Sequence, residues 1–500
     1  MGLPALLREI NPPAIGVTKP TIFECSLKGI SRHGINLFVY NSRMENQEHP
    51  FTKKPNRTLL VLSLPVLFSM TAEPLTALVD TAFVSSLGSV SLAALGVGTT
   101  ALSSLFWVFN FLGIGAQTEV AQAEGRVQPE QARQIASLAL ALALGFGGFL
   151  IVSLYPLAHA LAGLMGASGA VQDAAVEYMQ IRLFGAPAVL VMLVSFGVMR
   201  GQQDMRTPLW IALGVNLLNL VLDWLLIFGR GPMPPMGVAG SALASTASQW
   251  LGALTGMVLI ARRLGVSVSF SLRDMTKILR TGGDLFVRTG LLTFFLAYTT
   301  RAATRAGADV GAAHQAIRQV YSFTSLALDA YATTVQSLVG FFIGRNAFDW
   351  AKRVVRVGVN WSLWTGGLLG ALMWLGRGSV IGFLVPESAA SVFLPAWAIS
   401  SLSQPVSSLA FLTDGAHWGT GDYRYLRNAM VVATLTGILG INLISPENPD
   451  ALLWIWAVTG GWVSVRATFG ILRIWPGIGR NVVWQGKQPE SMKATLTGER

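Results

Sequence analysis

Charge is scarce in this chain: Asp, Glu, Lys and Arg together make up 12% of 500 residues, about half the share of a soluble domain. That excludes an extensive water-facing surface. The single cysteine, Cys25, excludes an intramolecular disulfide framework and any multi-cysteine metal site. The five histidines (His33, His49, His159, His314 and His417) are scattered without ligand spacing, so neither a metal nor a cofactor is expected. No glycine frame is followed by Lys-Ser or Lys-Thr, which excludes a P-loop. No apolar core of signal-peptide type occurs in residues 1–50.

What is abundant is apolar sequence. Hydrophobic residues account for 52% of the chain, and the mean hydropathy is +0.53. Long apolar segments recur from residue 58 to about 474, so the chain reads as an all-α polytopic membrane protein. Twelve spans are expected, at about 58–86, 90–116, 134–156, 178–200, 207–229, 237–262, 279–301, 312–342, 355–376, 393–414, 426–446 and 451–473. The fourth and tenth are the least regular. In hydrocarbon each must satisfy its backbone internally, as a helix does.

The formal charge of +11 does not point to nucleic acid, because the basic residues fall in short loops between apolar runs. They gather in the N-terminal flank, in every second loop and in the C-terminal tail. The alternate loops hold only Arg230, Arg301, Arg305 and Arg377. The bias places both termini in the cytoplasm.

An internal repeat organises the spans. LAALG at 92–96 and EGR at 124–126 answer to GAAHQ at 311–315 and IGR at 343–345, both offset by 219 residues. RGQQDMR at 200–206 answers to WGTGDYR at 418–424, and Pro187 to Pro405, each offset by 218. Six spans per repeat is an even number, so the halves insert in the same direction. A two-fold axis along the membrane normal should relate them, with the substrate path between. The expected division is a disordered tail over 1–50, six spans over 51–262, a cytoplasmic linker over 263–278, six spans over 279–476 and a cytoplasmic tail over 477–500. The first tail admits other readings: an over-called start upstream of Met44, or a divergent transit peptide.

Acids stand out against this background. Glu73 and Asp80 lie seven apart in an apolar run, on one face of a helix. A carboxylate at membrane depth costs about 2.5–3.5 kcal/mol on insertion scales, so it needs a partner or a task. Asn216, Asn219 and Asp223 form a stripe at spacings of three and four. The repeat does not copy these acids: Asp80 faces Thr299 and Asp223 faces Ile441, whereas Asn110 faces Asp329 and Phe196 faces Asp414. Acids kept in one half suggest tasks, although a buried structural acid or an interhelical hydrogen-bond seam fits the same residues. Arg288, Arg301 and Arg305 are candidates to pair with Glu73 across the cavity. Asp204/Arg206 and Asp422/Arg424 read as loop closures.

The motifs AEPLTALVDTAFVSSLG, QQDMRTP, NLLNLVLDWLLIFG, GVAGSALAS and FLTDGAHWGTGDYRYLR, in order on two repeats, resemble the multidrug and toxin extrusion (MATE) family, closest to its DinF-like branch. The resemblance covers roughly residues 55–475. It implies an N-lobe and a C-lobe forming a V, which alternate between outward-open and inward-open states as a cation runs down its gradient. It also implies a coupling site in the N-lobe at Asp80, Asn219, Asp223 and Tyr178, with Ser245 where relatives carry a threonine. Pro65 falls at the family's first-helix bend, and Asp329 and Asp414 are C-lobe acids for a substrate cavity or a second cation site. Glu73 and Asn216 are further cavity candidates. Two neighbouring carboxylates repel and lose solvation, so the pair is expected to take up and release a proton.

The resulting expectation is a secondary antiporter rather than an enzyme. It would sit in a bacterial inner membrane as a monomer, exporting amphipathic organic compounds in exchange for protons more readily than sodium. Its partners are a small-molecule substrate and the bilayer. A lipid-linked precursor flippase of related architecture is the nearest alternative, but it would want a strongly basic cavity. A membrane-embedded transferase would need a His, Asp or Glu cluster at one interface.

Overall fold

The computed structural model describes residues 49–230, 234–268, 272–478 and 484. The expected tail lies outside the described residues as far as residue 48, as does nearly all of the C-terminal tail. What is described is helical, in twelve rods. In the first half these are α2 (Pro55–Ser85), α3 with α4 (Ser89–Val108, Phe111–Gly125), α5 (Pro129–Leu154), α7 with α8 (Gly169–Leu183, Ala186–Gly201), α9 (Arg206–Phe228) and α10 (Gly237–Leu264). In the second they are α11 (Leu272–Arg305), α12 (Ala308–Gly344), α13 (Phe348–Leu375), α15 with α16 (Ala390–Leu402, Gln404–Thr420), α17 (Tyr423–Asn442) and α18 (Ala451–Ile474). Short helices α1 (Pro50–Lys53), α6 (Ala158–Leu164) and α14 (Arg377–Leu384) flank them.

Among the described residues, seven stretches are each long and apolar enough to cross a membrane, or up to nine if two bent pairs count as single spans. The irregular fourth span is one such pair: α7 and α8 meet at 48°. The tenth is also two helices, α15 and α16, divided at Ser403. α11, α15–α16 and α17 are the rods that fall short of that apolarity. Polar groups account for part of this, since α11 and α16 carry charges that pair with one another inside the protein. The linker is shorter than expected, because α10 continues to Leu264 and α11 has begun by Leu272.

Sequence punctuation sets the ends. Proline opens α1, α2 and α5 and sits in the first turn of α8 and α16, where its missing N–H costs nothing. Gly229 closes α9 in the left-handed region, φ 65°, a conformation that favours glycine.

The halves build separate cores. The largest apolar cluster runs only through residues of the first half, from Val84 to Leu264. The second half has clusters around Phe393–Trp397 and around Phe295–Trp462. α12 is its central column: 78% of its most apolar stretch is buried, against 28% for α2. The outer faces of the rods carry Phe68, Leu78, Trp364, Leu439 and similar side chains into the surroundings, as lipid-facing helices do. The division is crossed by α4, which packs on α12, and by α2. α2 packs on α9 of its own half and on α12 of the other, and Phe51 and Leu59 sink into the second half's core.

Candidate functional site

In the first half, small residues let the helices around the acids approach closely. A Cβ on Gly240 of α10 would lie 2.7 Å from the backbone of Leu226 on α9. At that contact Asp223 is wholly buried and Asn219 nearly so. Asp80 projects from α2 toward them, and the two carboxyl groups lie within hydrogen-bond reach of each other. A bond between two carboxyls requires a proton on one of them. The amide orientation of Asn219 that satisfies its neighbours donates Nδ2 to Asp80 Oδ1 at 3.2 Å. Its oxygen then accepts from Ser245 Oγ at 3.3 Å and from the Ser245 backbone N–H at 3.2 Å. Four of the five residues implied by the family resemblance thus form one connected group.

Tyr178, the fifth, is buried on α7 within electrostatic range of both acids and of Arg182. Arg182 also donates to Gln249 Oε1 at 2.8 Å, and its charge reaches Glu73, Asp80 and Asp223. Sequence reasoning passed over this arginine. The signal was present: a cation inside one of the two spans that read as least regular. Glu73 is exposed, and Asn216 lies half-buried one turn before Asn219; neither joins the Asp80–Asp223 group. α2 carries two internal prolines, Pro65 and Pro74, of which the family resemblance marked only the first. The second, six residues before Asp80, frees the Met70 carbonyl as another backbone acceptor.

The second half handles its acids differently. Asp414 on α16 accepts through one oxygen, Oδ2, from Arg288 of α11 and from Arg466 Nη2 of α18, the latter at 2.8 Å. All three side chains are buried. Arg288 lies over Trp418 at 5.1 Å and Arg466 over Trp462 at 4.6 Å, a cation–π packing that offsets part of the desolvation. Asp414, expected to line a cavity, is instead enclosed between two guanidiniums. Asp329 on α12 is half-buried, within electrostatic range of Arg288 and of Arg200 from the other half. Among the described residues no cluster of three His, Cys, Asp or Glu could hold a metal.

Between the halves lies a reciprocal clamp. Gln117 Nε2 donates to the Thr333 carbonyl at 2.8 Å, and its repeat mate Gln336 donates to the Ile114 carbonyl at 2.9 Å. Thr118 Oγ1 donates to the Trp418 carbonyl at 2.9 Å, and its mate Ser337 donates to the Arg200 carbonyl at 2.5 Å. Every donor and every acceptor is exchanged by the 218–219 offset. The backbones meet the same way: a Cβ on Gly125 would strike the Phe341 carbonyl, and one on Gly344 the Gln122 carbonyl. The clamp lies at the helix ends nearest the termini. Beside it, His49 Nε2 donates to Gln203 Oε1 at 2.5 Å, Nδ1 accepts from the Phe51 N–H at 3.1 Å, and the ring packs on Phe341 and Phe342. Burial lowers the His49 pKa from 6.5, with the Gln203 bond opposing and Arg345 adding. His49 and Pro50, the last two residues of the expected tail, therefore belong to a strap that touches both halves.

The two loop closures use other partners than those next to them in sequence. Asp204 caps the start of α9 through the Arg206 and Thr207 N–H groups and pairs with Arg263 at 2.6 Å. Burial opposes its ionisation, but the Thr207 and Arg263 bonds prevail and hold the carboxyl below its usual range. Asp422 pairs with Arg473 at 2.7 Å. In each half the partner arginine lies at the end of the sixth rod, which only tertiary folding brings near.

The MatE family model matches residues 65–225 and 286–442. Protein DETOXIFICATION 44, chloroplastic, of Arabidopsis thaliana is 27% identical over 87% of this chain and 88% of its own. The DNA damage-inducible protein F of Escherichia coli is 29% identical over 87% of this chain and 95% of its own. Among solved structures, an outward-facing multidrug resistance MATE family transporter of the MOP superfamily superposes with a TM-score of 0.78 at 22% identity. That superposition covers 87% of this chain and 97% of the other.

Proposed function

Because the chain belongs to the MatE family and is an integral multi-pass membrane transporter, we propose that it is a proton-driven antiporter. It exports amphipathic organic compounds by alternating access, as a V of two lobes, across a bacterial inner membrane with both termini in the cytoplasm. The observation that carries the coupling is the contact between Asp80 and Asp223, tied through Asn219 to Ser245. A carboxyl pair that must hold a proton to stay together, and repels when it loses it, couples protonation to helix packing.

The physical route runs along α2. Asp80 lies near its far end, Pro65 and Pro74 leave it two points of easy bending, and Ser69 between them accepts from Arg200 Nη2 at 3.2 Å. The Arg200 carbonyl is in turn an acceptor of the clamp. Loss of the shared proton pushes Asp80 from Asp223, bends α2 and withdraws Ser69 from Arg200. The clamp then weakens and the terminus-side end opens. Substrate and proton compete through that shift, and exchange follows.

The test is efflux of a loaded dye from proteoliposomes under an imposed proton gradient or an imposed sodium gradient, applied separately. Export driven by the proton gradient and lost in Asp80→Asn supports the reading. Export driven by sodium at equal pH on both sides sinks it.

A further inference from the structure

Two of the four arginines in the loops that face away from the termini remain without an electrostatic role. Arg301 and Arg305 lie one turn apart on the last two turns of α11, and both are exposed. Residues four apart share a face, where like charges repel. Neither guanidinium forms an ion pair with a described carboxylate. Glu447 and Asp450, in the nearby loop between α17 and α18, do not pair with them, and Asp309 at the start of α12 is bonded to Ser388.

Both arginines line one cavity of about 210 Å³ between the ends of α11 and α17 and the start of α18. Tyr298 and Asn442 supply its other polar wall, and Ile441 and Ile455 part of the apolar one. Tyr298 donates to Asn442 Oδ1 at 2.5 Å, which turns the Asn442 Nδ2 donor away from the tyrosine. The volume is below the ~300–1,000 Å³ of pockets that enclose drug-sized molecules, so it suits a small anionic group. α17 leads to the same place from mid-membrane with Val432, Leu435, Leu439 and Leu443, all exposed and three to four residues apart. Trp454 stands exposed beside it on α18, as aromatic residues do at a membrane interface.

We propose that Arg301 and Arg305, with Asn442, bind the phosphate of an anionic phospholipid whose acyl chains lie along the exposed stripe of α17. Two guanidinium forks at helical spacing match a phosphodiester's paired oxygens, and the bound anion removes their mutual repulsion. The lipid belongs to the leaflet facing away from the termini. The inference rests on the chain crossing a membrane and not on the direction or coupling of transport.

The experiment uses the full-length protein, delipidated in dodecyl maltoside and incubated with phosphatidylglycerol, with retained lipid read by native mass spectrometry. Wild type should retain one phosphatidylglycerol, and R301Q/R305Q should weaken retention about tenfold or more. R301K/R305K, which keeps the charge but loses the forks, should fall between. Because both side chains are exposed and unpaired, each variant should keep the Tm of lipid-free wild type, while the rise in Tm with lipid should vanish in R301Q/R305Q. Equal retention by wild type and R301Q/R305Q overturns the proposal. So does equal retention of diacylglycerol with the same chains, or displacement of the lipid by inorganic phosphate at equal concentration.

Discussion

Gln117 and Gln336 stand 219 residues apart and make the same bond to each other's half. Asp223 and Ile441 stand 218 apart and share nothing but their place on a helix. The two halves therefore keep their symmetry at the clamp and abandon it around their charges. In the first half two acids face one another, with Arg182 near. In the second, one acid is fixed between two cations. A carboxylate between two guanidiniums is held in one charge state, which makes it a structural tie. A pair of carboxyls changes its interaction with every proton gained or lost. A duplicated frame can thus give one half the moving charge and the other the fixed one.

The sharpest way to break this contrast is to neutralise one acid in each half. Asp414→Asn leaves two buried guanidiniums without their shared anion, and should cost about 3–5 kcal/mol, read as a lower Tm and less folded protein in the membrane fraction. Asp80→Asn and Asp223→Asn should leave folding intact, abolish gradient-driven export, and flatten the pH dependence of substrate binding between about pH 5.5 and 8.5. If Asp414→Asn folds normally and loses only the pH dependence, the roles of the halves are reversed.

Next is the symmetry itself. Gly344→Ala sets a Cβ against the Gln122 carbonyl, and Gly125→Ala sets one against that of Phe341. Each should cost the closed clamp about 1–3 kcal/mol and lengthen the distance between spin labels at positions 128 and 347. Opening by one variant and not by the other would restrict the two-fold relation to the helices and exclude the gate.

A smaller effect is expected at Pro65→Ala. It restores a backbone hydrogen bond worth about 1 kcal/mol, stiffens α2 and should slow exchange several-fold with folding unchanged. Exchange at the wild-type rate would leave the bending to Pro74.

The smallest concerns the strap. Neutral His49 both donates and accepts, and protonation removes the acceptor that holds the Phe51 N–H. Its folded pKa lies below 6.5, so its contribution is complete above pH 6.5 and is lost as pH falls from there through the folded value. The protection factors of the Phe51, Thr52 and Lys53 amides, taken relative to the intrinsic exchange rate at each pH, should fall on acidification in wild type. His49→Gln should show less protection at pH 7.5, by about 1 kcal/mol of lost capping, and little further change in acid. Acid-independent protection in wild type would remove His49 from the strap's hold.

Composition and spacing determined much of this protein. Low charge and recurring apolar runs require helices that satisfy their own backbones in lipid. The fixed offset between EGR and IGR, and between RGQQDMR and WGTGDYR, implied a duplicated half, and the repeat mates do meet across the clamp. The stripe of Asn219 and Asp223 was legible because helical periodicity is local. Other features were decided only by tertiary structure. Which acid meets which cation depends on distances between rods, and sequence spacing carries none of that information. Arg288 and Arg466 lie 126 and 52 residues from Asp414. Asp204 prefers Arg263, 59 residues on, to Arg206 beside it. Arg182, on α7 just before its 48° bend into α8, comes within electrostatic range of acids on α2 and α9. A charge in a span announces that it must be paired, but its partner is chosen by packing.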